Sequence, residues 1–89
     1  MTLKIQRAVD GGDVVFILSG RVEAEQVDQL QDLFDAETDN RRLVLELEEV
    51  DLVDRDAVRF LARCAASGIA LTNCPPYIRE WMEREGDGK

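Results

Sequence analysis

The stretch Leu52–Cys64, LVDRDAVRFLARC, restricts the fold more than any other part of the chain. It leaves a strand at Leu52 and Val53 and crosses the charged triplet Asp54, Arg55 and Asp56. It then enters a segment whose apolar residues Ala57, Phe60, Leu61, Cys64 and Ala65 recur at helical spacing. At such a strand-to-helix turn the free N–H groups and the positive dipole end of the helix point outward, so an α/β domain puts its working surface there. Asp54 is expected to cap the helix through its side chain, a role worth about 1 kcal/mol. Asp56 falls in the first turn, where the dipole favours a negative charge by about 0.3–1 kcal/mol.

The segments on either side supply the rest of a sheet. Leu3, Ile5 and Val9 share one parity of an opening strand, broken by Arg7, with Lys4, Gln6 and Ala8 on the other. Asp10-Gly11-Gly12-Asp13 provides residues that tolerate positive φ and predicts a hairpin into a second strand, Val14–Leu18. That strand is apolar on both parities and should be central. Ser19-Gly20 ends it, and a helix follows with Ala24, Val27, Leu30 and Phe34 on one side and Asp28, Gln29, Asp32 and Asp35 opposite. Thr38-Asp39-Asn40 breaks this helix, Arg41 and Arg42 are loop charges, and Leu43–Leu47 form a third strand followed by a short loop.

In that third strand Leu43, Leu45 and Leu47 oppose Val44, Glu46 and Glu48, and Ile69 and Leu71 against Ala70 and Thr72 repeat the contrast in a fourth strand. Helices are therefore expected on one face. Right-handed crossovers between sequential parallel strands place them there, leaving a mildly polar open face with Phe16 or Ile17 as its apolar exception. Gly68 is suited to the left-handed residue after the second helix. Pro76 can open a third helix, with Ile78, Trp81, Met82 and Glu85 on one stripe. The expected fold is α/β, a four-stranded mixed sheet with helices mainly on one face in β-β-α-β-α-β-α order, one domain over residues 1–89 with 85–89 a frayed tail.

Composition narrows function by exclusion. The net charge of −8, from 19 acidic and 11 basic residues, disfavours a nucleic-acid or anionic-membrane surface, both of which select Lys and Arg stripes. No apolar run approaches a membrane span and the first ten residues lack a signal-peptide core, so cytoplasmic residence is the expectation. Cys64 and Cys74, with no His in the chain, cannot complete a tetrahedral zinc site. They read as buried or half-buried thiols.

Beyond these local readings, the order of elements resembles the STAS domain, the family of sulfate-transporter and anti-sigma-factor-antagonist modules. The resemblance rests on the Leu43, Leu45, Leu47 strand, the turn at Val53 and Asp54 with a small residue opening the helix, the segment SGRVEAEQVDQLQDLF, and TNCPPYIREWMERE. In bacterial switch members the turn reads Asp-Ser-Ser-Gly, and a partner kinase phosphorylates the second Ser. Here the matching residues are Asp54, Arg55, Asp56 and Ala57, so only the first is kept and Asp56 takes the phosphosite-equivalent position. Glu23 stands where the family has a helix-capping Asp, and members often continue past the position of Lys89 into a further strand and helix.

The resemblance implies a non-catalytic interaction module, an anti-sigma-factor-antagonist-like regulator without the phosphorylatable Ser. Its partner-binding turn would comprise Val53, Asp54, Arg55, Asp56, Ala57 and Arg59. The partner would be an anti-sigma factor or kinase-like protein. Alternatively, the chain is a small STAS subunit of a lipid or other membrane transport complex, bound to an ATPase subunit. A nucleotide- or lipid-binding module is the weakest of the readings, since no glycine-rich phosphate loop is visible. The acids at 54 and 56 lack a His, a metal cluster or an activated nucleophile beside them, so no enzyme, cofactor or metal is expected. Arg55, Arg59 and Arg63 align along one side of the helix, either as a solvated face paired with acids or as a docking surface. Trp81, Ile78 and Met82 read as core, with a partner or a second copy of the domain as the alternative. The exposed sheet edge offers another joint.

Overall fold

The computed structural model describes residues 3–37 and 42–87. Strands β1 (Leu3–Asp10), β2 (Asp13–Val22), β3 (Arg42–Val53) and β4 (Ala70–Thr72) form one sheet in sequential order, with helices α1 (Ala24–Asp35), α2 (Arg55–Ala66) and α3 (Pro76–Asp87). β1 and β2 are antiparallel, whereas β2, β3 and β4 run parallel. Each parallel strand leads into a helix, so all three helices start at the same pole of the sheet.

The β1–β2 connection is the two-residue turn the glycines predict, with Asp10 opposite Asp13 and positive φ at Gly11 (60°) and Gly12 (103°). β2 is central, as its apolar residues on both parities require. Val14, Phe16, Leu18 and Val22 face the helices and are buried. Arg7 shares that face opposite Phe16, and its guanidinium meets both carboxylate oxygens of Glu37 at 2.9 and 3.1 Å. The charge in the apolar parity of β1 is thus answered just beyond α1.

Two strands are longer than the alternation predicts. β2 continues past Ser19-Gly20 to Val22, and β3 starts at Arg42 and continues through the supposed loop to Val53. Register shifts between Ile17 and Ser19 and between Gly20 and Arg21 keep the two strands paired. Gly20, at φ 100°, sits at the second shift, in a conformation that a side chain would strain. The buried residues of β3 then fall at Leu47, Val50 and Val53. This spacing of three hides the strand from a period-of-two reading. The break placed at residues 38–40, and Arg41, lie outside the described residues. Arg42 is a strand residue, 3.7 Å from Asp13.

The core lies between the sheet and the helices, with Leu30 and Phe34 from α1, Ala57, Val58, Phe60, Leu61 and Cys64 from α2, and Ile78 from α3. Val58 joins the buried stripe of α2, while Ala65 is exposed. Phe34 packs between Phe16 and Phe60 at centroid distances of 5.3 and 5.8 Å. The open face is more apolar than its expected polarity. Phe16 belongs to the helix side, and the register instead sets Ala8, Val15, Val44 and Ala70 side by side across all four strands, with Ile17 in the next row. In β4, Ala70, Leu71 and Thr72 are all half-buried, so the predicted contrast of parities does not appear in their burial.

α2 ends in a Schellman motif. The Ile69 N–H donates to the Cys64 carbonyl at 3.0 Å and the Gly68 N–H to that of Ala65 at 3.1 Å, with Gly68 at φ 98°. Pro76 opens α3 and the preceding Pro75 carbonyl accepts from Ile78 and Arg79. α3 runs to Asp87, past the start of the expected frayed tail at Glu85. Glu85 itself accepts from the Trp81 indole at 3.3 Å, and it faces α2.

Candidate functional site

The turn between β3 and α2 is built around Asp54. Its Oδ1 accepts from the Ala57 N–H at 2.9 Å, the expected cap of α2. Its Oδ2 accepts from the Ala24 N–H, also at 2.9 Å, and its own N–H donates to the Val22 carbonyl at 3.3 Å. One carboxylate therefore holds the starts of two helices together, while the backbone of the same residue joins the ends of β2 and β3. The Ala24 bond joins residues 30 apart in sequence, and nothing local in the sequence announces it.

Around this anchor the predicted site residues divide by accessibility. Val53 (4% exposed) and Ala57 (0%) are buried and form the floor of the turn. Arg55, Asp56 and Arg59 are exposed. The arginines point toward α3, where Arg55 Nε lies 3.4 Å and Arg59 Nε 3.2 Å from the two oxygens of Glu85. These contacts, with the nearby Trp81, hold the Glu85 carboxyl below its ordinary pKa, the hydrogen bond from Arg59 contributing most. Arg63, the next in the series, lies over the Phe60 ring at 5.9 Å. Asp56 is different, with no hydrogen bond or ion pair to any described residue.

A shallow groove of about 290 Å³ runs between α1 and α2, lined by Ala24, Val27, Asp28, Asp56, Arg59 and Arg63. On the other flank of the turn are two large apolar side chains that sequence reasoning did not single out, Leu52 (43% exposed) and Tyr77 (46%). The Tyr77 hydroxyl donates to the Asp51 carbonyl at 2.7 Å, which brings the start of α3 against the end of β3. Burial, with the nearby Asp51 carboxylate and Cys74, raises the Tyr77 pKa. The position of Tyr77 in a polar segment gives no periodic signal. The Glu85 stripe did give one, since Trp81 and Glu85 are four residues apart.

Chemically the site offers charge and shape. Among the described residues no group of His, Cys, Asp or Glu could hold a metal ion. Both cysteines are free, and burial pushes the Cys64 thiol up to about 11 and raises Cys74 as well. No helix of the described residues is long and apolar enough to cross a membrane.

Comparison of the backbone with solved structures places the architecture. The structure of the anti-sigma factor antagonist SpoIIAA in its unphosphorylated form matches with a TM-score of 0.70 at 20% identity, covering 96% of this chain and 83% of that one. The antisigma-factor antagonist STAS domain from Rhodobacter sphaeroides matches with a TM-score of 0.65 at 12% identity, over 81% and 87%. The fold is STAS-like. A Shewanella loihica protein of the DUF3478 family, described as having a SpoIIAA-like fold, matches at 0.55 with 17% identity, over 98% and 79%. No protein-family model and no curated protein matches the sequence. At these identities the STAS likeness is one of backbone, and it covers nearly the whole chain.

Proposed function

We propose that this chain is a non-catalytic regulatory module that docks a partner protein through the turn heading α2, in the manner implied by anti-sigma-factor antagonists. The observation that carries the proposal is the division of labour within the turn. Asp54 is used up by two backbone N–H groups and Arg55 and Arg59 by Glu85. Asp56 is left exposed at the helix start, favoured there by the helix dipole but with no hydrogen bond or ion pair to any described residue. Leu52 and Tyr77, exposed on one flank, give the contact its apolar component.

We read Asp56 as taking the phosphosite-equivalent position that the STAS resemblance of the turn implies. A carboxylate has no hydroxyl from which a Ser kinase could form a phosphate monoester. It carries one negative charge in place of the −1.5 to −2 of a phosphoserine and lacks the third acceptor oxygen. We therefore read the chain as a fixed-state relative, whose partner engagement is not released by a kinase acting at this turn.

The test is capture of the partner by the tagged chain, with mass spectrometric identification, for wild type and Asp56→Arg. Reversing Asp56 leaves every described hydrogen bond in place, so thermal unfolding should shift by only a few degrees while capture falls at least tenfold. An anti-sigma kinase among the captured proteins fits the favoured role, and a transporter ATPase subunit would assign the chain to a transport complex instead. Equal capture by the two proteins would remove the turn from the interface.

A further inference from the structure

The two edges of the sheet are unlike. β4 is three residues long, whereas β1 is an eight-residue edge without proline or bulge. Because Asp10 and Asp13 close a two-residue turn, Asp10, Ala8, Gln6 and Lys4 exchange backbone hydrogen bonds with β2. Leu3, Ile5, Arg7 and Val9 direct their N–H and C=O groups outward. Natural edges of this length are blocked by charges that an incoming strand cannot match. The charges on β1 match those of a second β1.

We infer that two copies of this chain associate through antiparallel pairing of β1 with β1 about a two-fold axis at Arg7, extending the sheet to eight strands. In that register Ile5 faces Val9 of the second copy, and Lys4 faces its Asp10, each pair occurring twice by symmetry. Val9, half exposed in the single chain, gains an apolar neighbour. The two Arg7 side chains meet at the axis, but each already carries the Glu37 carboxylate on its guanidinium, so like charge does not oppose the pairing. A register shifted by one residue would set inward-pointing amides against outward-pointing ones and is excluded. One shifted by two loses both Lys4–Asp10 pairs. The inference is independent of the docking turn, which lies on β3 and α2 and stays exposed in both copies.

Sedimentation equilibrium over about three decades of protein concentration tests this. The wild-type chain is expected to dimerise. Lys4→Asp or Asp10→Lys alone should weaken the dimer roughly tenfold, through two lost attractions and two new repulsions. The double variant K4D/D10K, with the charges exchanged, should recover it. Val9→Pro removes an outward N–H that β2 does not use, so it should abolish the dimer while near-ultraviolet circular dichroism still reports a folded chain. A monomer throughout, a dimer indifferent to Val9→Pro, or failure of the charge exchange to restore association would each overturn the inference.

Discussion

Replacing Asp54 by alanine removes the carboxylate that ties the starts of α1 and α2 together and keeps the backbone bond to Val22. The Ala57 cap is worth about 1 kcal/mol. The bond to the Ala24 N–H is charge-assisted at 2.9 Å, but water can take its place at an exposed amide, so about another 1 kcal/mol is reasonable. An unfolding entropy of ~190 cal/mol/K for 89 residues converts a total of about 2 kcal/mol into a fall of about 10 °C in Tm. Asp54→Asn separates the two bonds. Its carbonyl can keep the Ala57 cap, but its NH2 then faces the Ala24 donor, so about half the loss is expected. Thermal denaturation by circular dichroism gives the order wild type, Asn, Ala. Amide exchange should show Ala24 losing protection in both variants and Ala57 only in Asp54→Ala. An alanine variant less than about 0.5 kcal/mol below wild type, or an asparagine variant equal to it, would refute the bridging role.

Three further outcomes follow from the geometry. Gly68→Ala meets no atom within 4 Å of its new Cβ, so its cost is the backbone strain of φ 98°, about 1–2 kcal/mol in chemical denaturation. The Glu85 carboxyl is lowered by its arginines. Its stabilisation is therefore fully present above the ordinary carboxylate value of 4.5 and is lost as pH falls through the depressed folded value. Comparing wild type with Glu85→Gln between neutral and acid pH should show the stability difference shrinking only in that acidic range. Cys64, buried with its thiol pushed up to about 11, should resist iodoacetamide at neutral pH until the chain unfolds.

The local signals in the sequence were readable wherever they acted alone. The apolar run of both parities located β2 at the centre, Gly68 marked the end of α2, and Pro76 marked the start of α3. What was hidden depends on elements meeting in space. The far half of β3 contains two register shifts, so Leu47, Val50 and Val53 never show a period of two. The arginine series had two readings open, a solvated face or a docking surface. The packing of α3 on α2 brings Glu85 between Arg55 and Arg59, a distinction that periodicity within one helix cannot make. The second bond of Asp54 and the exposed Leu52 and Tyr77 likewise arise because three helices start at one pole.

Site-specific photo-crosslinking in the native cell tests the docking claim most directly. A photoreactive residue at position 56 should yield an adduct with one partner protein, and the same residue at exposed Asp32 on α1 should not. Equal crosslinking from both positions, or none from position 56, would contradict the account.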